Sequence, residues 1–195
     1  RNSVLMYAGD HDLYGADERM ITLLTGGVKS GKSRRALDLA IGGWRPSAEE
    51  PVYFIATSEV VDEEMKARIA RHRNERAALA GEGSFIVIEE ALALDRAVQA
   101  AGTRCLVDCL PMWVNNLMYY KREDDFQPVL EVFIKTLVDE SRDCIVVTNE
   151  TGLGNVPFDA ATRRFNVLLA EANRKVAAVA DCVEFMVSGI PLKVK

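Results

Sequence analysis

Apolar residues of this chain gather into six short runs, and segments with helical periodicity separate them. The runs lie at 21–25, 52–56, 85–88, 105–110, 144–148 and 182–187. Because the runs are apolar at consecutive rather than alternate positions, they are typical of parallel strands covered on both faces. The intervening segments predict helices at about 32–42, 62–80, 91–101, 111–121, 127–141 and 159–180.

The alternation of strand and helix signals predicts a three-layer α/β fold. Right-handed crossovers between parallel strands place helices on both faces of a mostly parallel sheet. Gly189 and Pro191 precede a short tail at 192–195, and this turn chemistry predicts a C-terminal strand in a hairpin. Since proline is tolerated in edge strands, we expect this short antiparallel strand at an edge of the sheet.

Length and local pattern together predict one domain. The chain has 195 residues, and one domain typically takes up about 150. Residues 1–19 are polar and lack periodicity, so we predict a flexible N-terminal extension before a single domain at 20–195. An N-terminal arm that packs on a neighbour fits the same residues, and the sequence leaves this alternative open.

Composition excludes several classes of protein. Hydrophobic residues make up 49% of the chain and charged residues 27%, which is typical of a globular protein and not of a disordered one. The net charge of −5 counts against nucleic acid as a partner, so an anionic ligand needs a local positive site. No apolar run approaches the ~18 residues that span a membrane, so we expect no membrane insertion. Four cysteines without metal-ligand spacing indicate free thiols in a reducing cytoplasm: Cys105, Cys109, Cys144 and Cys182.

A glycine-rich segment carries the sharpest chemical signal. It begins at Gly26 and fits the phosphate-loop pattern G-x-x-x-x-G-K-[ST], between a predicted strand and a predicted helix. In such a loop, backbone N–H groups and the helix N-terminus face phosphate, Lys32 reaches the β- and γ-phosphates, and the Ser33 hydroxyl ligates Mg²⁺. A plain glycine-rich turn is the alternative. The predicted nucleotide-binding residues of the loop are Gly26, Gly27, Val28, Lys29, Ser30, Gly31, Lys32 and Ser33.

A phosphate loop that binds Mg²⁺ also needs a carboxylate at the end of another strand. Asp108 follows the apolar residues 105–107 and is the best candidate for this second metal ligand. The alternative interpretation is that Asp108 caps the helix predicted to begin near Pro111. No N-K-x-D element occurs, so the sequence gives no support for a switch GTPase.

A basic stripe surrounds His72, whereas the other histidine, His11, lies in the predicted extension and receives no role. Arg68, His72 and Arg76 have helical spacing, so a helix places them on one face. Neighbouring cations favour the neutral form of a histidine, which is a nucleophile. A solvated basic helix face explains the same residues, and by themselves the residues favour this second interpretation.

Several further motifs occur in a fixed order. They are Tyr-Phe-Ile-Ala-Thr-Ser at 53–58, Asp-Glu-Glu-Met at 62–65, Arg-Ile at 68–69 before His72, Val-Thr-Asn-Glu-Thr-Gly-Leu-Gly at 147–154, and Val-Ser-Gly-Ile at 187–190. With these motifs and the phosphate loop, residues 20–195 resemble the bifunctional adenosylcobinamide kinase / adenosylcobinamide-phosphate guanylyltransferases of cobalamin biosynthesis. A phosphate loop alone occurs in many enzymes, whereas this ordered set is specific.

The resemblance implies two activities, a site and an assembly. Such enzymes phosphorylate adenosylcobinamide with ATP or GTP, and then transfer GMP from GTP to that phosphate through a guanylylated histidine. The implied catalytic residues are His72, which carries GMP, and Lys32. The implied fold is a P-loop α/β domain, and the implied assembly is a homotrimer. Beyond the phosphate loop, the implied nucleotide contacts are Ala56, Thr57, Ser58, Arg73, Asn74, Glu75, Arg76, Glu89 and Asp108.

The chain departs from the family pattern at 165–174, where several polar residues of F-R-D-x-x-G-x-x-N-Q are replaced. Three functions therefore stay open. The first is the bifunctional enzyme, the second is a P-loop small-molecule kinase without nucleotidyl transfer, and the third is a nucleotide-binding paralogue without turnover. GTP labelled at the α- or γ-phosphorus separates them, because only the first leaves a covalent α-label on the protein.

Overall fold

The structure is a computed structural model. It describes residues 20–59, 81–139, 143–154 and 156–195, together with Ala70, Asn74 and Ala78. The predicted extension at 1–19 and most of the predicted helix at 62–80 lie outside the described residues. Within that helix prediction, Ala70, Asn74 and Ala78 are helical and exposed.

Seven strands of the described residues form one sheet. Their order across it is β3-β2-β4-β5-β1-β6-β7, and every neighbouring pair is parallel except β6 with β7. The predicted mostly parallel sheet with an antiparallel C-terminal edge strand is confirmed. The strands are β1 (Ile21–Gly26), β2 (Val52–Ala56), β3 (Phe85–Glu89), β4 (Arg104–Asp108), β5 (Asp143–Val147), β6 (Cys182–Val187) and β7 (Ile190–Lys193).

Helices in the described residues connect these strands close to the predicted positions. β1 is followed by α1 (Lys32–Leu39) and a π-helical turn (Ala40–Trp44), so the regular α-helix ends before residue 42. β3 is followed by α2 (Leu94–Ala100). Between β4 and β5 lie α3 (Leu110–Tyr119), a 3₁₀ turn (Glu123–Asp125) and α4 (Phe126–Asp139). The last helix, α5 (Ala160–Val179), leads into β6.

Three further boundaries differ from the predicted positions for local reasons. The strand predicted to reach residue 110 ends at Asp108, because Leu110 begins α3 and Pro111 suits the first turn of a helix. The helix predicted from residue 91 begins at Leu94, because the Glu90 carboxylate accepts the Leu92 and Ala93 N–H groups at 2.9 and 2.8 Å and holds a turn there.

The third difference concerns the C-terminal strand, which was predicted at 192–195 and lies at Ile190–Lys193. Ser188 and Gly189 have φ angles of 52° and 86°, and positive φ at both positions is what a two-residue hairpin turn of type I′ requires. This turn pairs Val187 with Ile190, so β7 starts directly after it and contains Pro191.

The two faces of the sheet bury separate hydrophobic clusters. Because alternate side chains of a strand point to opposite faces, Leu106 packs on one face while Cys105 and Val107 pack on the other. On the first face lie α1 and the π-helical turn with the buried Trp44. On the second face lie α2, α3, α4 and α5, which confirms the predicted three layers. Among the described helices, none has the length and apolar character to cross a membrane.

Candidate functional site

The phosphate loop follows the carboxyl end of β1, and left-handed backbone conformations determine its path. Gly26, Lys29 and Gly31 have positive φ angles of 146°, 56° and 99°. A Cβ on Gly26 would come within 2.5 Å of the Met186 carbonyl oxygen, so only glycine fits there without moving the neighbouring strand. The chain is therefore turned tightly enough for consecutive backbone groups of the loop to surround a phosphate.

Lys32 is the first residue of α1 and lies against the loop. Its buried side chain donates to the Gly26 carbonyl at 3.1 Å and also to the Gly27 carbonyl. Burial lowers the pKa of Lys32, and the nearby Cys109 and Asp108 side chains partly oppose this shift. The structure thus places Asp108, the predicted metal ligand, within electrostatic reach of the phosphate-loop lysine.

Two contacts brace this loop, and sequence reasoning missed both. The Gly189 N–H of the β6–β7 turn donates to the Ser30 carbonyl at 2.9 Å. Arg35 of α1 donates to both carboxylate oxygens of Glu184 in β6, each at 2.8 Å, and both side chains are almost fully buried. A glutamate inside the otherwise apolar run 182–187 was the signal that could have revealed this ion pair.

Three predicted nucleotide-binding residues stand in one row across the sheet. Ala56 of β2 is the register partner of Glu89 on one side and of Asp108 on the other. The same row continues through β5 to β1, so Asp108 is two strand spacings, about 10 Å, from the phosphate-loop strand. Ala56 and Asp108 therefore lie at the carboxyl ends of their strands, on the same side of the sheet as the phosphate loop. Glu89 lies at the end of β3, the outermost strand, and is exposed.

Thr57 connects the loop after β2 to the loop after β4 through hydrogen bonds. Its buried hydroxyl donates to the Cys109 carbonyl at 2.7 Å and accepts the Cys109 N–H at 2.9 Å, while its own N–H donates to the Asp108 carbonyl at 3.2 Å. The Asn116 amide of α3 donates to the Thr57 carbonyl at 2.8 Å. The Thr57 hydroxyl thus holds Cys109 in place and the Thr57 N–H holds Asp108. Ser58, the next residue, is half-buried.

The helix-cap alternative for Asp108 finds no support in the geometry of α3. The N-cap residue of α3 is Cys109 rather than Asp108, and the Cys109 side chain makes no capping hydrogen bond. Asp108 is half-buried at the strand end, beside the lysine whose pKa it influences.

The segment after β5 is attached to both the phosphate loop and α5. The Glu150 N–H donates to the Gly26 carbonyl at 3.1 Å. The buried Thr148 hydroxyl donates to the Asn173 side-chain oxygen at 2.6 Å, and the Asn173 amide donates to the Asn149 carbonyl at 2.9 Å. Asn173 lies in the altered tract 165–174 and keeps the asparagine of the family pattern, so that tract still supports the site.

The predicted histidine lies outside the described residues, as do Arg68, Arg73, Glu75 and Arg76. From that part of the predicted site the structure describes Asn74, which is helical and exposed. In the phosphate loop, Gly27, Val28 and Lys29 are exposed and Ser33 is half-buried.

The parallel sheet, the glycine loop at the end of β1 and the buried lysine at the start of α1 define a P-loop nucleotide-binding domain. Residues 22–194 match the family described as cobinamide kinase / cobinamide phosphate guanyltransferase. The chain belongs to this family, and the resemblance seen in its motifs is confirmed. It is accordingly a transferase with the two activities in that description, and the paralogue without turnover is not favoured.

Three relatives match this chain over almost their whole length, and all three are named as bifunctional proteins of adenosylcobalamin biosynthesis. The bifunctional adenosylcobalamin biosynthesis protein CobP of Pseudomonas aeruginosa is 35% identical over 179 residues, which is 90% of this chain and 98% of the relative. The corresponding CobU proteins of Escherichia coli and Salmonella typhimurium are 33% and 34% identical, again over 90% of this chain and 100% of each relative. Among solved structures, a KaiC-like protein of Pyrococcus horikoshii matches 90% of this chain and 78% of its own at 18% identity with a TM-score of 0.49, too distant to add to the assignment.

Proposed function

We propose that this chain phosphorylates the aminopropanol hydroxyl of adenosylcobinamide with ATP or GTP, and then transfers GMP from GTP to the new phosphate to give adenosylcobinamide-GDP. Family membership supports both activities. The kinase activity is supported chiefly by the tightly turned phosphate loop, which ends at the buried Lys32. Asp108 is close enough to Lys32 to interact with it electrostatically. In this site the loop amides and Lys32 would hold the triphosphate and take up the charge that collects on its β–γ bridge.

Ser33 and Asp108 are the residues that would hold Mg²⁺. A hydroxyl at the start of α1 and a carboxylate at the end of β4 are hard oxygen donors, which Mg²⁺ prefers. Mg²⁺ takes one or two protein ligands and completes its shell with phosphates and water. This fits the described residues, in which no group of three or more His, Cys, Asp or Glu side chains could hold a metal ion. When bound, the ion neutralises charge on the β- and γ-phosphates.

His72 is proposed as the nucleophile of the second activity. It is the one histidine within 20–195, and it stands after the Arg-Ile motif as in the family. Its ring nitrogen would attack the α-phosphorus of GTP, forming a phosphorus–nitrogen bond while pyrophosphate leaves. An oxygen of the substrate phosphate would then attack the same phosphorus, which breaks the phosphorus–nitrogen bond and restores the histidine. Arg73, Asn74, Glu75 and Arg76 are the proposed contacts that follow it.

The test compares His72→Ala with His11→Ala, which removes the other histidine of the chain. With α-labelled GTP, the wild type and His11→Ala are expected to carry a covalent GMP mass that is stable in alkali and lost in mild acid. His72→Ala is expected to lack the adduct and GMP transfer while it keeps kinase activity, because phosphoryl transfer needs the loop, the metal and an aligned hydroxyl. An adduct on His72→Ala would contradict the assignment, and turnover of γ-label without any wild-type adduct would favour a simple kinase.

The proposal also covers the oligomeric state of the protein and its cellular compartment. We infer a homotrimer in the cytoplasm, with the resemblance supporting the assembly and the four free thiols supporting a reducing compartment. Sedimentation of the full chain with and without GTP measures the mass directly, and a monomer in both conditions would contradict the trimer.

A further inference from the structure

We propose that the Glu150 carboxylate accepts the proton of the substrate hydroxyl during the kinase step. Glu150 belongs to the motif at 147–154 that supports the resemblance, and neither activity has given it a role so far. The inference rests on the proposed kinase function and adds the group that activates the attacking hydroxyl.

Glu150 follows the strand that lies between the two groups proposed to handle the nucleotide. β5 lies between β1, which leads into the phosphate loop, and β4, which ends at Asp108. The carboxyl end of β5 is therefore one strand spacing, about 5 Å, from each of them. The hydrogen bond of 3.1 Å from the Glu150 N–H to the Gly26 carbonyl fixes its backbone against the start of the loop. By contrast, Glu89 is on β3, four strand spacings or about 19 Å from β1.

The Glu150 side chain differs from other glutamates near this edge because it is not engaged by the described part of the protein. Glu184 is paired with Arg35, and Glu90 caps the turn before α2. Across the described residues, no hydrogen bond or ion pair to the half-buried Glu150 carboxylate is found. A Cβ on Gly152 would lie 3.7 Å from Glu150 Oε1, so this glycine keeps one side of the carboxylate open.

The segment that carries Glu150 is anchored on both sides. The paired hydrogen bonds between Asn173 of α5 and the residues Thr148 and Asn149 hold the chain directly before it. Such a support holds the Glu150 backbone at a fixed distance from the phosphate loop, and proton transfer at hydrogen-bond range requires a group that is positioned in this way.

In the kinase step, the γ-phosphoryl group moves to the substrate hydroxyl and the hydroxyl proton moves to Glu150. The hydroxyl oxygen forms a bond to the γ-phosphorus while the bond from that phosphorus to the β–γ bridging oxygen breaks, and the electron pair leaves with the nucleoside diphosphate. The hydroxyl proton moves to Glu150 and is later released to water. Guanylyl transfer has no such need, because the attacking substrate phosphate is already largely ionised, with a second pKa of about 6. Loss of Glu150 should therefore affect one activity and spare the other.

The experiment uses the full chain and compares wild type, Glu150→Gln, Glu150→Asp and the surface control Glu131→Gln. Three quantities are measured: the kinase kcat with adenosylcobinamide and saturating nucleotide, GMP transfer to supplied adenosylcobinamide phosphate, and nucleotide Kd by calorimetry. We expect Glu150→Gln to lower the kinase kcat by about 10²–10⁴-fold, with GMP transfer and Kd close to wild type. Glu150→Asp keeps a carboxylate and should recover part of the loss, and Glu131→Gln should match wild type.

Two results would overturn the inference. One is a kinase kcat of Glu150→Gln within about threefold of wild type, well short of a general base's contribution. The other is an equal loss of both activities with weaker nucleotide binding, which would make Glu150 a nucleotide or metal ligand. If Glu150→Gln does not fold, Glu150→Ala takes its place, and a kinase kcat of Glu150→Ala within about threefold of wild type overturns the inference in the same way. A wild-type enzyme without kinase activity would instead refute the proposed function.

Discussion

The loop after β1 and the loops after β2 and β4 meet at one edge of the sheet, but they are held in different ways. The phosphate loop depends on backbone: positive φ angles at Gly26 and Gly31, and a close approach of Gly26 to β6. The loops after β2 and β4 depend on side chains, chiefly the Thr57 hydroxyl that both donates to and accepts from Cys109. The phosphate loop should therefore be disrupted by an added side-chain atom, whereas the loops after β2 and β4 should be disrupted by the loss of a hydrogen-bonding atom.

The largest expected effect comes from the ion pair behind the phosphate loop. Glu184→Gln removes the negative charge of this buried pair, which should lower the free energy of unfolding by about 3–5 kcal/mol. Glu131→Gln breaks the exposed pair with Lys175 and should cost no more than about 1 kcal/mol. Urea unfolding of both variants measures the difference, and equal values would show that burial of the Arg35 pair does not matter.

Adding one methyl group to the phosphate loop tests the backbone half of the comparison. Gly26→Ala brings a Cβ within 2.5 Å of the Met186 carbonyl at a φ of 146°, whereas Gly27→Ala meets nothing within 4 Å. Strain of about 3 kcal/mol on the nucleotide-competent loop corresponds to roughly hundredfold weaker nucleotide binding for Gly26→Ala. Calorimetric titration with GTP should show a much smaller loss of affinity for Gly27→Ala, because its added methyl group meets no protein atom. Similar affinities for both variants would refute the steric argument.

Removing a hydroxyl tests the side-chain half. Thr57→Val deletes both hydrogen bonds to Cys109 in a buried place, so unfolding should become easier by about 1–3 kcal/mol. Thr57→Ser keeps the hydroxyl and should recover most of this loss. Thermal unfolding of the two variants decides the point. Thr57→Val loses only the hydroxyl and Thr57→Ser loses only the methyl group, so equal destabilisation would mean that the hydroxyl contributes no more to stability than the methyl group does.

The smallest expected effect concerns Asp108, which the Thr57 contacts hold in place. Asp108→Asn keeps the shape of the side chain but loses its charge, so half-maximal kinase activity should need about tenfold more Mg²⁺. Stability without nucleotide should change little. An unaltered Mg²⁺ titration would remove Asp108 from the proposed metal ligands.

Local patterns in the sequence predicted much of this molecule. Apolar runs at 21–25 and 144–148 predicted strands because burial on both faces demands apolar side chains at consecutive positions. The phosphate loop was equally visible, since its glycines, lysine and serine all lie within nine residues, 25–33. Boundaries were less secure where a turn residue decided them, as at Pro111 and at Ser188 with Gly189.

The class of fold, the phosphate loop and the family can be recognised from the amino-acid sequence alone, because each is encoded by neighbouring residues or by motifs in a fixed order. Contacts between distant residues become visible in the folded chain. Arg35 and Glu184 are 149 residues apart, and Thr57 and Cys109 are 52 apart. The hydrogen bond from the Glu150 N–H to the Gly26 carbonyl likewise depends on the placement of β5 beside β1. Strand order arises from the joint packing of all helices on the sheet, and no local pattern records it.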